Sequence, residues 1–215
     1  MARGRKGPGG QPGGWRGSPG ERQQLAALLT QLPVLPQRGP RRGFILAAPP
    51  GAGKSHVSAA LERIVGAHGL NADRLRRQMG WGPADKRAFM VASAMARRLA
   101  AADQSVCLDY NSASPPRRAD AARELEAQGF APVVIWVDTP WEVRTARLGE
   151  RELRTLDLHE VVVPAEIARR MSHGFIAPQP GEEAIRIDGT APVEEQLRDA
   201  LGPLDERPAP PTRPL

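Results

Sequence analysis

At 215 residues the chain has room for one α/β domain with a full hydrophobic core and is short for two. A single cysteine, Cys107, excludes an intramolecular disulfide and a cysteine-built metal centre. No apolar run approaches a membrane span or a secretory signal, so a soluble, cytoplasmic protein is expected, and the formal charge of +6 suits an anionic partner or simply an Arg-rich composition.

Residues 1–20, "MARGRKGPGGQPGGWRGSPG", hold too few apolar side chains to offset the entropy of ordering them and read as a disordered basic tail. Leu25, Leu28, Leu29 and Leu32 then fall at helical spacing, and "PVLPQRGPRR" reads as a linker. The expected division is a tail, helix and linker over 1–40, a folded domain over 41–203 and a Pro-rich tail over 204–215. Inside the domain, strand and helix signals alternate. "GFILAA" predicts a strand and "KSHVSAALERIVGAH" a helix with Val57, Leu61, Ile64 and Val65 on one face. "ADKRAFMVASAMARRLAAAD" predicts a longer helix whose Phe89, Met90 and Met95 are expected in the core. "SVCLDY" is a short strand, "PPRRADAARELEAQG" a helix opened by Pro and closed by Gly, and "PVVIWVD" a continuous apolar strand. "TPWEVRTARLGERELR" and "PAEIARRMSHGF" predict helices, "AIRIDG" a strand and "VEEQLRDAL" a last helix. The alternation predicts an α/β fold: a parallel sheet of about five strands with helices on both faces.

The stretch "GFILAAPPGAGKSH" carries the first chemistry. Its core reads A-x-x-x-x-G-K-S from Ala48 to Ser55, the spacing of a phosphate-binding loop. Backbone N–H groups must converge on phosphate oxygens there, so Gly51 and Gly53 supply conformations denied to residues with a Cβ. Pro50, Gly51, Ala52, Gly53, Lys54 and Ser55 form the candidate ATP cradle, with Lys54 reaching the outer phosphates and the Ser55 hydroxyl on Mg²⁺. His56 closes the candidate nucleotide-binding set, although its imidazole is expected to be structural. The first position only turns the chain, and Ala48 is small enough for that.

Three further stretches bear on what the loop serves. In "LNADRLRRQMG", Asp73 is placed to accept the proton of an attacking hydroxyl and Arg76 to hold an anionic acceptor; the plainer reading makes Asn71 a helix cap and Asp73 a first-turn acid. "SVCLDYN" ends a strand on Asp109, where a carboxylate beside the loop can hold a Mg²⁺-bound water. "WEVRTARLGERELR" sets Arg144, Arg147, Arg151 and Arg154 three or four apart, as in a lid over polyphosphate or a solvated face paired with Glu142, Glu150 and Glu152.

Taken in order, "PPGAGKS", "NADRLR", "LDYNSASPPRR", "VDTPWEVRTARLGER" and "VPAEIARRMSHGF" resemble the P-loop kinases of the polynucleotide-kinase type. That group contains the 5′-hydroxyl polynucleotide kinase domain and related small kinases of an AAA-like ATP-binding family, and the resemblance runs from about Gly43 to Leu201. It implies a P-loop kinase fold with an Arg-rich helical lid, ATP and Mg²⁺ as cofactors, and transfer to an alcohol group. It makes Asp73 the general base, with Lys54 and the lid residue Arg151 stabilising charge and Arg147 beside them. It places Arg76, Asp109, Asn111 and Arg118 with Asp73 on the acceptor side, and Ser55 and Asp109 at the metal. Tyr110 and Ser112 flank Asn111 where the family pattern carries Thr. The expected acceptor is the 5′-hydroxyl of a nucleic acid or nucleotide-like molecule. Alternatives are a small-molecule kinase (nucleoside, sugar or antibiotic, toxin-like kinases included) and a P-loop ATPase, switch or partner-binding module.

Overall fold

A computed structural model describes residues 17–82, 85–110, 112–153 and 165–205. Five strands, β1 (Arg42–Ala47), β2 (His68–Asn71), β3 (Val106–Asp109), β4 (Ala131–Asp138) and β5 (Ala184–Asp188), form one sheet in the order β2-β3-β1-β4-β5. Every pairing is parallel, with Phe44 opposite both Cys107 and Val133 and Asn71 opposite Asp109. Successive side chains of a strand point to opposite faces, and β1 shows the consequence. Phe44 and Leu46 pack with α2 (Lys54–Val65) and α8 (Val193–Leu201), whereas Ile45 packs on the other face with α4 (Arg87–Ala101) and α5 (Pro115–Ala127). All three side chains are fully buried, each contributing roughly 2 kcal/mol by removal from water.

The four strands read from the sequence are all present, and β2 is the exception: the helix expected through His68 ends at Val65, where Gly66 caps it in a left-handed conformation, and His68 begins a strand. Of the apolar face expected for α2, Val57, Leu61, Ile64 and Val65 are all buried. One core expectation is corrected: Met90 is 45% exposed, because the buried stripe of α4 runs Ala88, Val91, Ala92, Met95, Ala96, Leu99 and Met90 falls off it. α3 (Ala72–Gln78) is a short helix directly after β2, and α6 (Trp141–Leu153) and α7 (Ala165–His173) stand beyond β4.

The N-terminal helix α1 (Pro19–Thr30) starts inside the stretch read as tail, because Ser18 and Glu21 close a reciprocal capping box around Pro19. Leu25 and Leu29 then bury against the α4 face of the sheet. The stretch read as a linker is also fastened. Gln37 donates to Gly66 O (2.7 Å) and accepts from Ser105 N (2.8 Å), while Gln104 Oε1 accepts from Leu35 N (2.9 Å) and from His68 Nε2 (3.1 Å). Burial holds the His68 imidazole below its ordinary pKa. Residues 1–16 and 206–215, which include most of both expected tails, lie outside the described residues. Among the described residues no helix is long and apolar enough to cross a membrane.

Candidate functional site

The chain leaves β1 for β2 and β3 on one side of it and for β4 and β5 on the other. Such a switch point opens a crevice outside the carboxyl ends of the strands, and the Ala48–Ser55 loop lies there, between β1 and α2. Gly51 and Gly53 have φ of 78° and 104°, and Gly53 caps α2 without any side-chain bond. A helix leaves its first N–H groups without intrahelical partners, so an end with no side-chain cap offers donors to an anion. Lys54 Nζ donates to the loop carbonyls of Ala48 (3.2 Å) and Pro49 (3.5 Å), which sets its ammonium across the mouth of the cradle. His56 is exposed in the first turn of α2, so its imidazole is not the structural side chain expected.

Neighbouring elements hold the loop in this shape. Thr139 Oγ1, at the end of β4, donates to Ala52 O (2.9 Å), and Arg147 of α6 donates to Ala52 O (3.4 Å) and Gly189 O (2.8 Å). A Cβ on Gly51 would stand 2.7 Å from the Arg144 carbonyl oxygen, so α6 packs directly on the loop. Gly51→Ala combines that clash with a left-handed φ and is expected to weaken ATP binding about tenfold or more, measured by titration calorimetry. Unchanged affinity would contradict the packing.

The row of arginines expected to act together divides. Arg147 reaches the loop, but Arg144 turns away, donating to Thr139 O (3.0 Å) and Ser172 Oγ (2.8 Å) with its guanidinium 5.0 Å above the Trp141 ring. Burial lowers the pKa of Arg144. Arg144 therefore ties α6 to α7. Arg151 belongs to the end of α6; its side chain lies outside the described residues, as does all of Arg154.

Beside the loop, Asp109 ends β3 and is 6% exposed. Its Oδ2 accepts from Ser55 Oγ (3.1 Å) and from Asn71 Nδ2 (2.8 Å). The two residues expected at a metal thus meet, and a hydroxyl with a carboxylate is the hard oxygen donor set that Mg²⁺ takes, with water and phosphate oxygens completing it.

Asn71 also caps α3, its Oδ1 accepting from Arg74 N (2.9 Å). Asp73 lies in the first turn of that helix, so the plainer reading of both residues holds as geometry. Arg76 Nη1 donates to Asp73 Oδ1 (2.6 Å), Arg76 Nε donates to Asp85 O (2.9 Å), and the guanidinium lies 5.3 Å from the Phe89 ring centre. The side chain of Arg76 is 11% exposed and that of Asp73 46%. Asp73 accordingly faces solvent while Arg76 is packed behind it.

Arg118 requires a correction. Its side chain is 1% exposed and pairs bidentately with Glu182, Nε to Oε2 (2.7 Å) and Nη2 to Oε1 (2.8 Å). Nη1 donates to Ser112 O (3.1 Å) and Ile176 O (2.9 Å). All three nitrogens are occupied, so Arg118 braces two loops and does not present a charge to an acceptor. Asn111 lies outside the described residues. Next to the braced loop, Ala113, Ser114, Arg117, Met171 and Gly174 line an open cleft of ≈ 270 Å³.

Sequence reasoning missed Thr139, Glu182 and the second bond of Asn71. Their contacts span 87, 64 and 38 residues of chain, and no local spacing signals them.

The fold is shared with solved structures. A sugar kinase from Janibacter sp. HTCC2649 is 19% identical with a TM-score of 0.53, covering 75% of this chain and 93% of its own. A gluconokinase from Sinorhizobium meliloti 1021 is 17% identical with a TM-score of 0.54, covering 77% of this chain and 91% of its own. A structure from the PezAT toxin–antitoxin system of Streptococcus pneumoniae is 15% identical with a TM-score of 0.50, covering 64% of this chain and 65% of its own. No curated protein sequence matches the chain. The five-stranded parallel sheet with a phosphate loop after β1 is the P-loop NTPase and kinase fold. A family described as the AAA domain matches residues 44–178, well over half of the chain and nearly everything from β1 to the end of α7, and the chain belongs to that family.

Proposed function

We propose that the chain transfers the γ-phosphoryl group of ATP to a hydroxyl group. One observation carries this reading: a second acidic centre, Asp73 with Arg76, begins two residues after Asn71, whose side chain is bonded to the Asp109–Ser55 pair. A switch or ATPase needs the cradle and its metal residues. An exposed carboxylate backed by an arginine is what an incoming alcohol needs as well.

Lys54 and the loop N–H groups would hold the polyphosphate, with Arg147 bracing the loop through Ala52 O and Gly189 O and Arg151 as a further candidate. Ser55 and Asp109 would hold Mg²⁺, which when bound neutralises charge on the phosphate oxygens. Asp73 Oδ1 is engaged by Arg76, which leaves Oδ2 to accept the hydrogen of the acceptor hydroxyl. The acceptor oxygen then bonds to phosphorus as the bond to ADP breaks, and the hydroxyl proton passes to Asp73.

The geometry favours a compact polyhydroxyl acceptor such as a sugar or nucleoside. Arg76 and Arg118, the cations assigned to the acceptor side, are held by internal partners. The sugar kinase and gluconokinase that share the fold agree with this class. A 5′-hydroxyl polynucleotide end remains the second reading, favoured by the charge of +6 and the Asp73–Arg76 spacing.

The deciding experiment offers γ-labelled ATP with sugars, nucleosides, aminoglycosides and 5′-hydroxyl oligonucleotides at two salt concentrations. Label on a compact alcohol and none on oligonucleotides is expected. Salt-sensitive labelling of oligonucleotides would establish the second reading instead. Release of inorganic phosphate with every candidate would point to an ATPase.

A further inference from the structure

Asn71 occupies an unusual place in this site. It is the last residue of β2, paired across the sheet with Asp109, and it is also the N-cap of α3, the helix that carries Asp73. Both ends of its amide are engaged. Nδ2 donates to Asp109 Oδ2 at 2.8 Å, and Oδ1 accepts from Arg74 N at 2.9 Å. The orientation is fixed by chemistry, since a flipped amide would set an oxygen against a carboxylate and an NH₂ against an N–H. The oxygen of Asp109 that it grips is the one bonded to Ser55 Oγ.

We infer that Asn71 is a positioning residue that locks the metal-binding carboxylate of Asp109 and fixes the start of the Asp73 helix relative to it. The inference rests on the kinase reading above for its purpose and on the Ser55–Asp109 pair for its geometry. A helix cap alone needs only an oxygen; Ser and Asp cap as well as Asn. The donor end of the amide has no part in capping, and it faces Asp109. Outer partners that orient a metal ligand typically change metal affinity or activity 10–100-fold when removed.

Two substitutions separate the roles because both retain a capping oxygen. Asn71→Ser is too short to reach Asp109. It is expected to raise the Mn²⁺ concentration that half-saturates the protein with a non-hydrolysable ATP analogue about tenfold, read by electron paramagnetic resonance of free Mn²⁺. Its melting temperature should remain near that of the parent chain. Asn71→Asp keeps the side-chain length but sets a second carboxylate against Asp109, and should tighten Mn²⁺ binding about tenfold in the absence of nucleotide. It also supplies the reading should Asn71→Ser fail to fold. If Asn71→Ser leaves Mn²⁺ binding unshifted, or fails to fold while Asn71→Asp leaves it unshifted, Asn71 is a cap and the inference is wrong. Parent protein that binds no Mn²⁺ with the analogue removes the site and the inference with it. Parent protein that binds both yet labels no acceptor overturns the kinase reading alone, and the Mn²⁺ shifts still test Asn71.

Discussion

Asp73→Asn is expected to lower phosphoryl transfer by about a thousandfold while ATP affinity stays within about twofold, as positioned general bases contribute 10²–10⁴-fold. The substitution isolates proton acceptance. Asn matches Asp in shape and retains an oxygen for Arg76 Nη1, which now lies 2.6 Å from Asp73 Oδ1. Arg76 itself is fixed independently by Asp85 O and by the Phe89 ring, so the acceptor wall should keep its form. The Asp73 side chain is 46% exposed, and its loss of charge leaves no ion stranded in the interior. The link from the start of the Asp73 helix to the loop that would hold ATP runs through Asn71 and Asp109 to Ser55. Transfer of label and calorimetric ATP binding, measured on the same preparation, check the two halves. Unaltered transfer would remove Asp73 as the base, and a parallel fall in ATP affinity would place it on the nucleotide side.

The legible parts of this protein are those whose physical cause is local. The cradle could be read because left-handed turns, a Lys and a hydroxyl must follow one another within a few residues, and Gly51 and Gly53 do adopt positive φ. Four strands could be read because burial forces runs such as Phe44–Leu46 to be apolar throughout, whereas β2, "HGLN", carries no such run. Asn71 could be read as a cap for the same reason, as its partner Arg74 is three residues away. Its other partner is supplied by strand register, which no one-dimensional pattern contains. Arg118 shows the same limit from the opposite side. The family resemblance puts it on the acceptor side, and only the fold brings Glu182 to neutralise it. The segment from Pro33 to Pro40 carries the turn-forming composition of a linker, yet Gln37 and Gln104 stitch it beneath the sheet through contacts of 68 and 69 residues.

The Arg118–Glu182 pair is where stability should be most sensitive to a single atom. Glu182→Gln is expected to lower unfolding free energy by about 1–2 kcal/mol at neutral pH, because it leaves the buried Arg118 guanidinium without its counter-charge while the 23% exposure of Glu182 lets water screen part of the loss. Arg118 cannot escape that cost: its side chain is 1% exposed and its Nη1 is held by Ser112 O and Ile176 O. Gln keeps one acceptor for the fork but not the charge. The hydrogen bonds from Arg118 hold the Glu182 carboxyl below its usual pKa. Unfolded chains therefore take up this proton before the native protein does, so the pair stabilises fully above the ordinary carboxylate range and loses its contribution as pH falls through the lowered native value. Urea unfolding of parent and variant should differ most near pH 7, and the two curves should converge in acid. A gap of the same size at every pH would mean that shape and hydrogen bonding, not charge, hold this corner. The same variant also tests function, because Arg118 holds Ser112 O, in the loop that follows Asp109 and borders the cleft beside Ala113. Acceptor KM should rise with ATP KM unchanged if that loop shapes the acceptor side.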